Sequence, residues 1–144
     1  MYKKIYQAYQ CLSKGDQSAL KRCNLKKLAN EPAYFRILKL TGAKDTQQTQ
    51  RILYLLVGIK IADDENGVNV ATALLNAEVK ERQIIQITRS GDNGIDYLKR
   101  QLVRCSNISL ESLGKLAQFW GDNARRHLLK DFILADNDIQ TIKE

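Results

Sequence analysis

Apolar residues recur at spacings of three and four along most of the chain, which is the pattern of amphipathic helices. Near the N terminus, Tyr2, Ile5, Tyr6, Tyr9 and Leu12 follow this spacing. The 144 residues include one Pro and eight Gly, fewer turn residues than an all-β sandwich or barrel needs. We therefore predict an all-α fold, a compact bundle of about eight or nine helices in two halves.

Residues with strong preferences for helix ends predict individual boundaries in the first part of the chain. Gly15 is expected to stop the first helix, and Asp16 to cap a short second one. Pro32 fits the first position of a later helix, where its missing N–H costs nothing, and Gly42 is expected to end that helix.

A mostly apolar segment follows, and it predicts the centre of the core. Either Asp45 or Thr46 can cap a long helix that we expect to run through Ile61. An acidic loop comes next and provides the best internal boundary. We therefore divide the chain into an N-terminal half, 1–63, and a C-terminal half, 64–144, with one continuous domain as the alternative.

The second half also reads as helices joined by short turns. Asn69 and Ser109 are expected to cap helices, while Gly121 closes the penultimate helix and Asp122 caps the last. No β-strand is predicted. The polar residues from Ala135 onward are expected to be weakly ordered.

Side chains that could perform catalysis are scarce. The three cysteines are odd in number and lack a C-x-x-C spacing, which argues against a disulfide framework or a zinc site and favours buried free thiols in a reducing cytoplasm. The single histidine, His127, has no nucleophile close in sequence and is expected on a helix, partly exposed, beside a core leucine pair. Neither a Walker loop nor a G-x-G-x-x-G motif occurs. We predict no catalytic residue, no metal and no cofactor.

Targeting segments are not expected either. No stretch of about eighteen apolar residues is present, so we predict no membrane span. The basic start of the chain is followed by neither an apolar run nor a small-residue cleavage site, so we expect no signal peptide.

The charge balance points to a polyanionic partner. The chain has 23 basic and 16 acidic residues, a formal net charge of +7, and an excess of this size in a small chain favours nucleic-acid binding. Basic residues occur on almost every predicted helix without the interleaved aromatics of a base-stacking platform. This distribution predicts contact with phosphates rather than recognition of bases, and ordinary solvated surface is the alternative.

A second interpretation is a helix-turn-helix transcriptional regulator built from 109–129. Two short helices around a glycine turn would suit it. The second helix, however, would begin with Asp122 and Asn123, which are poorly suited to meet phosphates, and its apolar positions are typical of a core.

Several motifs occur in a familiar order along nearly the whole chain. An aromatic YQAY segment is followed by a basic pair, a proline with two aromatics and an arginine, an E-R…R block, a second basic pair, and an FWG segment leading into a closing helix. These motifs lie at 6–9, 19–22, 32–36, 81–89, 98–102 and 119–134. In this order and spacing, the chain resembles the CasB family, the small subunit of the type I-E CRISPR surveillance complex called Cascade.

The resemblance implies an all-α, non-enzymatic protein that works in the cytoplasm inside a larger assembly. Two small-subunit copies would lie between the Cascade backbone and large subunits. Their basic surfaces would stabilise target DNA paired to guide RNA, together with the displaced non-target strand.

The resemblance and the charge pattern together select twelve candidate nucleic-acid-binding residues. The family motifs give Lys21, Arg22, Arg36, Arg82, Arg89, Lys99, Arg100 and Arg125. Charge alone adds Lys27, Arg51, Arg104 and Arg126. Arg36 has a structural alternative, because it follows an aromatic pair and could tie helices together. The sequence departs from the family after the Trp-Gly pair, where acidic and amide residues replace basic ones.

Overall fold

Helices account for nearly all regular structure in a computed structural model of the protein, which describes residues 1–62 and 64–136. Within these residues there are ten α-helices, so the predicted all-α fold is confirmed with slightly more helices than expected. The helices are α1 (Tyr2–Cys11), α2 (Lys14–Lys21), α3 (Leu25–Leu28), α4 (Pro32–Thr41), α5 (Gln47–Leu56), α6 (Val70–Asn76), α7 (Glu81–Arg89), α8 (Gly94–Leu102), α9 (Leu110–Gln118) and α10 (Asp122–Ala135). A 3₁₀ turn, Gly91–Asn93, leads into α8.

The junction between α1 and α2 differs from the prediction. Gly15 lies inside α2 rather than ending α1, and Asp16 does not cap the helix. The cap is Ser13, whose Oγ accepts a hydrogen bond from the Asp16 backbone N–H at 3.1 Å. The chain turns at Leu12, which is extended, so no glycine is needed to end α1.

The ends of α4 and the start of α5 agree with the prediction. Pro32 occupies the first turn of α4, and Gly42 ends it in the left-handed conformation with φ of 73°. Of the two expected caps for α5, Thr46 is the one used, accepting from the Thr49 backbone N–H. The Asp45 carboxylate instead accepts from the Tyr34 hydroxyl at 2.7 Å.

Helix α5 forms the centre of the core but is shorter than predicted. Residues 52–56 are at most 6% exposed, and the helix packs against α1, α3 and α9. It ends at Leu56 instead of continuing through Ile61, because Val57 is extended and Gly58 follows with φ of 76°.

A small parallel sheet contradicts the expectation that strands are absent. Strand β1 (Ile61–Ala62) pairs with β2 (Ile108–Ser109), with Ile61 opposite Ile108, and Val68 forms a further bridge to Ile108. Strands of two residues are too short to show an alternating pattern. This sheet joins the two halves proposed from sequence, whose separation at residues 63 and 64 stays a prediction.

In the second half, two of the predicted caps are confirmed, whereas Gly121 does not close α9, which ends at Gln118, and Asp122 does not cap α10. Asn69 and Ser109 accept hydrogen bonds from the first-turn backbone of α6 and α9. Gly121 is the residue before α10, and Asp122 is its first residue rather than its cap. Helix α10 packs on α6 and α7 and runs to Ala135, while the expectation for 137–144 lies outside the described residues.

The cysteines are free, but only one is buried as expected. Cys105 is buried, Cys23 is partly buried and Cys11 is exposed. Within the described residues, no helix is both long and apolar enough to cross a bilayer.

Candidate nucleic-acid interface

Most of the predicted basic residues lie on the surface. The exposed ones are Lys21, Arg22, Lys27, Arg36, Arg82, Arg89, Arg100, Arg104 and Arg126. The remaining three, Arg51, Lys99 and Arg125, are partly or fully buried, and their positive charges are used inside the protein.

Arg125 is the centre of a polar network between the 3₁₀ turn and α10. It is 4% exposed, donates to Asp92 at 3.0 Å and to Asp122 at 2.5 Å, and its guanidinium lies 5.4 Å from the Trp120 ring centre. The Trp120 indole N–H in turn donates to the Asp92 backbone carbonyl at 3.1 Å. Arg51 approaches the same Asp92 carboxylate at 4.0 Å.

Lys99 joins α8 to the C-terminal end of α5. Its Nζ donates to the backbone carbonyls of Tyr54 and Val57 and lies 4.2 Å from the Tyr54 ring centre. Burial lowers the Lys99 pKa to about 8, against the opposing effects of Asp96 and Cys23. Lys99, Arg51 and Arg125 therefore hold helices together, and we leave them out of the proposed interface.

Two exposed arginines also have partners within the protein. Arg36 bridges α4 to α2 through both carboxylate oxygens of Asp16, each at 2.9 Å, which fits the structural alternative given above. Arg104 donates to Gln101 at 2.9 Å and to the Ala77 carbonyl at 3.1 Å, at the end of α6.

Several exposed candidates lie on or next to α2, α3 and α8. The charges of Lys27 and Arg22 lower the pKa of the Cys23 thiol against the effect of burial, and Cys23 in turn raises the pKa of Lys99. Burial is the main cause that raises the Cys23 pKa. On α8, the charge of Arg100 opposes the effect of burial, which raises the pKa of the Tyr54 phenol. The Arg100 guanidinium lies 5.5 Å from the Tyr97 ring centre. We use the name basic cluster for the exposed candidates of these helices and their ends, which are Lys21, Arg22, Lys27 and Arg100.

A second exposed pair stands on α7. Arg82 and Arg89 lie two helical turns apart and therefore share a face. In the part of the chain that the structure describes, neither forms an ion pair or a side-chain hydrogen bond. Their guanidinium groups are available to a phosphate, for which the planar fork of arginine is well suited.

Sequence reasoning missed Lys60, which lies beside Lys21 in a groove of about 490 Å³. We call this the α1–α5 groove, and it is lined by Tyr6, Tyr9, Gln10, Gln17, Lys21, Leu56, Gly58, Ile59 and Lys60. Lys60 stands alone between apolar residues in the sequence, so charge clustering gave no signal for it.

The geometry offers little that resembles a catalytic or metal centre. Among the described residues, no group of three His, Cys, Asp or Glu side chains is placed to hold a metal ion. His127 is exposed on α10, next to the buried Leu128. In the segment considered for a helix-turn-helix motif, Leu128 is a core residue, and so is Phe132 further along the same helix.

Comparisons with known proteins give a consistent result. No protein-family model matches the chain. The chain is 25% identical to the CRISPR system Cascade subunit CasB of Escherichia coli (strain K12), over 92% of both proteins. Its fold matches a chain in the crystal structure of E. coli Cascade bound to a PAM-containing dsDNA target, with a TM-score of 0.81 and 25% identity, covering 92% of this chain and 94% of that one. Sequence and fold together confirm the resemblance to the CasB family.

Proposed function

We propose that this protein is a non-catalytic small subunit of a CRISPR Cascade surveillance complex and binds nucleic acid without reading its sequence. The observation that carries this proposal is the agreement of sequence and fold with CasB and with a Cascade chain over nine-tenths of the protein. Likeness along nine-tenths of the chain, rather than at one motif, favours the same place in the same assembly.

The exposed basic residues supply the proposed mechanism. The basic cluster and the Arg82–Arg89 pair offer cations to phosphates. Among the cation–ring contacts of the described residues, that of Arg100 with Tyr97 alone involves one of these cations. Contacts of this kind hold a backbone and leave sequence recognition to base pairing, as in another RNA-guided effector.

The proposed partners follow from the same role. In the cytoplasm, this subunit lies with a second copy between the Cascade backbone and large subunits. It stabilises target DNA paired to guide RNA and the displaced non-target strand, and so favours the open R-loop.

The first test measures binding of the purified chain to single-stranded and duplex DNA of unrelated sequences across a salt series. We expect weak binding that is indifferent to sequence and falls steeply with salt. The double variant Arg82→Glu with Arg89→Glu should bind less and lower the logarithmic salt slope by about 1.8 on duplex.

The matched control reverses the same number of charges at Lys3 and Lys4. Both are exposed on α1, and Lys3 borders a pocket lined by Asp64, Glu65 and Glu111, where a phosphate is unfavourable. Equal losses in both double variants would show that only net charge matters. A strong preference for one sequence would overturn the proposal and favour the helix-turn-helix regulator.

A second test places the Arg82–Arg89 variant in the assembled complex. We expect the complex to form and its R-loop on target DNA to be less stable than with the wild-type subunit. Failure of the wild-type chain to join Cascade subunits and guide RNA of its own system would contradict the assignment.

A further inference from the structure

An open groove between α6, α9 and α10 is lined mainly by apolar atoms and has a volume of about 590 Å³. Val70 of α6 and Leu128 of α10 contribute core side chains to its lining, and Leu116 and Phe119 form its α9 side. The lining shares no residue with the basic cluster or with the Arg82–Arg89 pair. We call this the α9–α10 groove.

Two exposed apolar side chains extend the groove at its edges. Phe119, directly after α9, is 61% exposed, and Leu134, near the end of α10, is 73% exposed. Leu134 follows the lining residue Asp131 by three positions and therefore lies on the same side of α10. Exposed apolar side chains that continue an apolar groove are typical of a surface that a partner covers.

The charges of the groove favour a protein partner over a nucleic acid. Lys115 is the one lysine or arginine in the described lining, and it is paired with Glu111 at 3.2 Å. Within residues 1–62 and 64–136, Asp131 forms no ion pair or side-chain hydrogen bond. A phosphate would meet an unpaired carboxylate here, whereas a lysine or arginine of a protein would find a counter-ion.

The polar groups of the groove favour a partner that pairs its own backbone. The Asn69 side chain accepts from the Thr72 backbone N–H, and the Ser112 Oγ accepts from the Val70 backbone N–H at 3.0 Å. No strand residue belongs to the described lining. An extended segment would thus find no sheet edge to pair with, while a helix satisfies its backbone internally and can present one apolar face.

We propose that the α9–α10 groove binds an amphipathic helix of a neighbouring protein subunit in the complex. Aliphatic side chains of that helix pack on Leu116 and Phe119, and a lysine or arginine pairs with Asp131. The positions from Asn123 to Leu134 extend over about three turns of α10, which is enough for anchors one turn apart. The inference rests on the proposed function and adds to it a protein-binding surface separate from the cations offered to nucleic acid.

The first experiment measures how tightly the full chain joins a complex of the backbone subunits, large subunit and guide RNA of its own system. The double variant Phe119→Ser with Leu134→Ser should weaken joining at least tenfold, while binding of DNA by the free chain changes less than twofold. The matched control, Phe35→Ser with Leu40→Ser, removes an exposed phenylalanine and an exposed leucine from α4 and should weaken joining less than twofold. Circular dichroism verifies that both variants are folded.

A charge reversal tests the part given to Asp131. Asp131→Lys should weaken joining about fivefold, because the cation of the partner would then meet a like charge. The control Glu81→Lys makes the same change in net charge at an exposed position of α7 and should not weaken joining.

Photo-crosslinking in the purified complex identifies the occupant. Replacing Phe119 by p-benzoylphenylalanine should give a crosslink to a helical segment of another subunit, with aliphatic residues at helical spacing and a lysine or arginine beside them. The same replacement at Leu40 should not crosslink to that segment. A crosslink from position 119 to guide RNA or target DNA, or to a second copy of this chain, would overturn the inference.

The outcomes separate this inference from the proposed function. If the wild-type chain joins the complex and the Phe119–Leu134 variant joins equally well, only the groove assignment is wrong. Equal losses in that variant and in the Phe35–Leu40 control would also overturn it, because exposed apolar area in general would then explain the effect. If the wild-type chain does not join the complex, the proposed function fails and this inference fails with it.

Discussion

The basic side chains of this protein differ in whether they have a partner within the protein. Lys99 and Arg125 are held by carbonyls or carboxylates of neighbouring elements. Arg82 and Arg89 have no such partner among the described residues. The same residue types therefore stabilise the fold at some positions and remain open to phosphates at others.

The internal use is tested by replacing Arg125 with Met, which keeps the bulk of the side chain but removes its hydrogen bonds. We expect the free energy of unfolding to fall by about 1–3 kcal/mol, because hydrogen bonds to two carboxylates are lost. Asp92 is 68% exposed at its side chain and can be solvated again, which limits the loss. Urea unfolding measures the difference.

The control is Arg126→Met on the next, exposed position of α10. A change within about 0.5 kcal/mol is expected there. Equal effects of the two substitutions would contradict the role given to the Arg125 network.

Sequence patterns could select basic residues but could not distinguish these two uses. Whether Lys99 is buried depends on the carbonyls of Tyr54 and Val57, which the fold brings from another helix. Lys60 was missed because Lys21, which lies beside it in the α1–α5 groove, is distant from it in the sequence.

At the scale of secondary-structure elements, two close contacts require glycine, because a Cβ atom would have no room there. Helix α7 packs against α8, and a Cβ atom on Gly94 would overlap the Ile87 carbonyl. Gly114 of α9 has the same role against the ring of Tyr2.

Replacing Gly94 by Ala should therefore separate α7 from α8 and lower the free energy of unfolding by about 2–4 kcal/mol. The matched substitution is Gly15→Ala in α2, where a Cβ atom meets only Ser13 Oγ at 3.9 Å. That change should be neutral or stabilising by up to about 1 kcal/mol, since alanine favours helix. Thermal or urea unfolding compares the pair, and a tolerated Gly94→Ala would show that the two helices can move apart freely.

Helix ends were predictable where one residue has a strong preference for that position. They were less predictable where two suitable capping residues lie close together in the sequence. Pro32, Gly42, Asn69 and Ser109 act through their own or adjacent backbone groups. At the start of α2, Ser13 and Asp16 are both good caps, and the extended turn at Leu12 selects the first. The sheet was unpredictable, because its pairing joins segments from different parts of the chain.

For the molecule as a whole, the contacts cross the boundary suggested by the acidic loop. Helix α9 packs on both α1 and α5, and β1 pairs with β2. Each half would lose part of its buried surface if the other unfolded.

We therefore expect one cooperative unfolding transition. Trp120 is the single tryptophan and is buried in the C-terminal half, so its fluorescence reports that half, while far-UV circular dichroism reports all helices. The two probes should give the same midpoint in urea, as for a two-state domain. A fluorescence midpoint clearly different from that of circular dichroism would instead favour two independent halves.

The contact of Tyr2 with Gly114, completed by the Tyr2 hydroxyl donating to Gln118, also sets an order of events during synthesis. Helix α1 also packs on α4 and α5, which are translated soon after it, but the part of its surface that meets α9 must wait while most of the chain is translated. Closing so long a loop is costly in entropy and slows folding. The Tyr2 end of α1 consequently stays exposed on the newborn chain until α9 has been made.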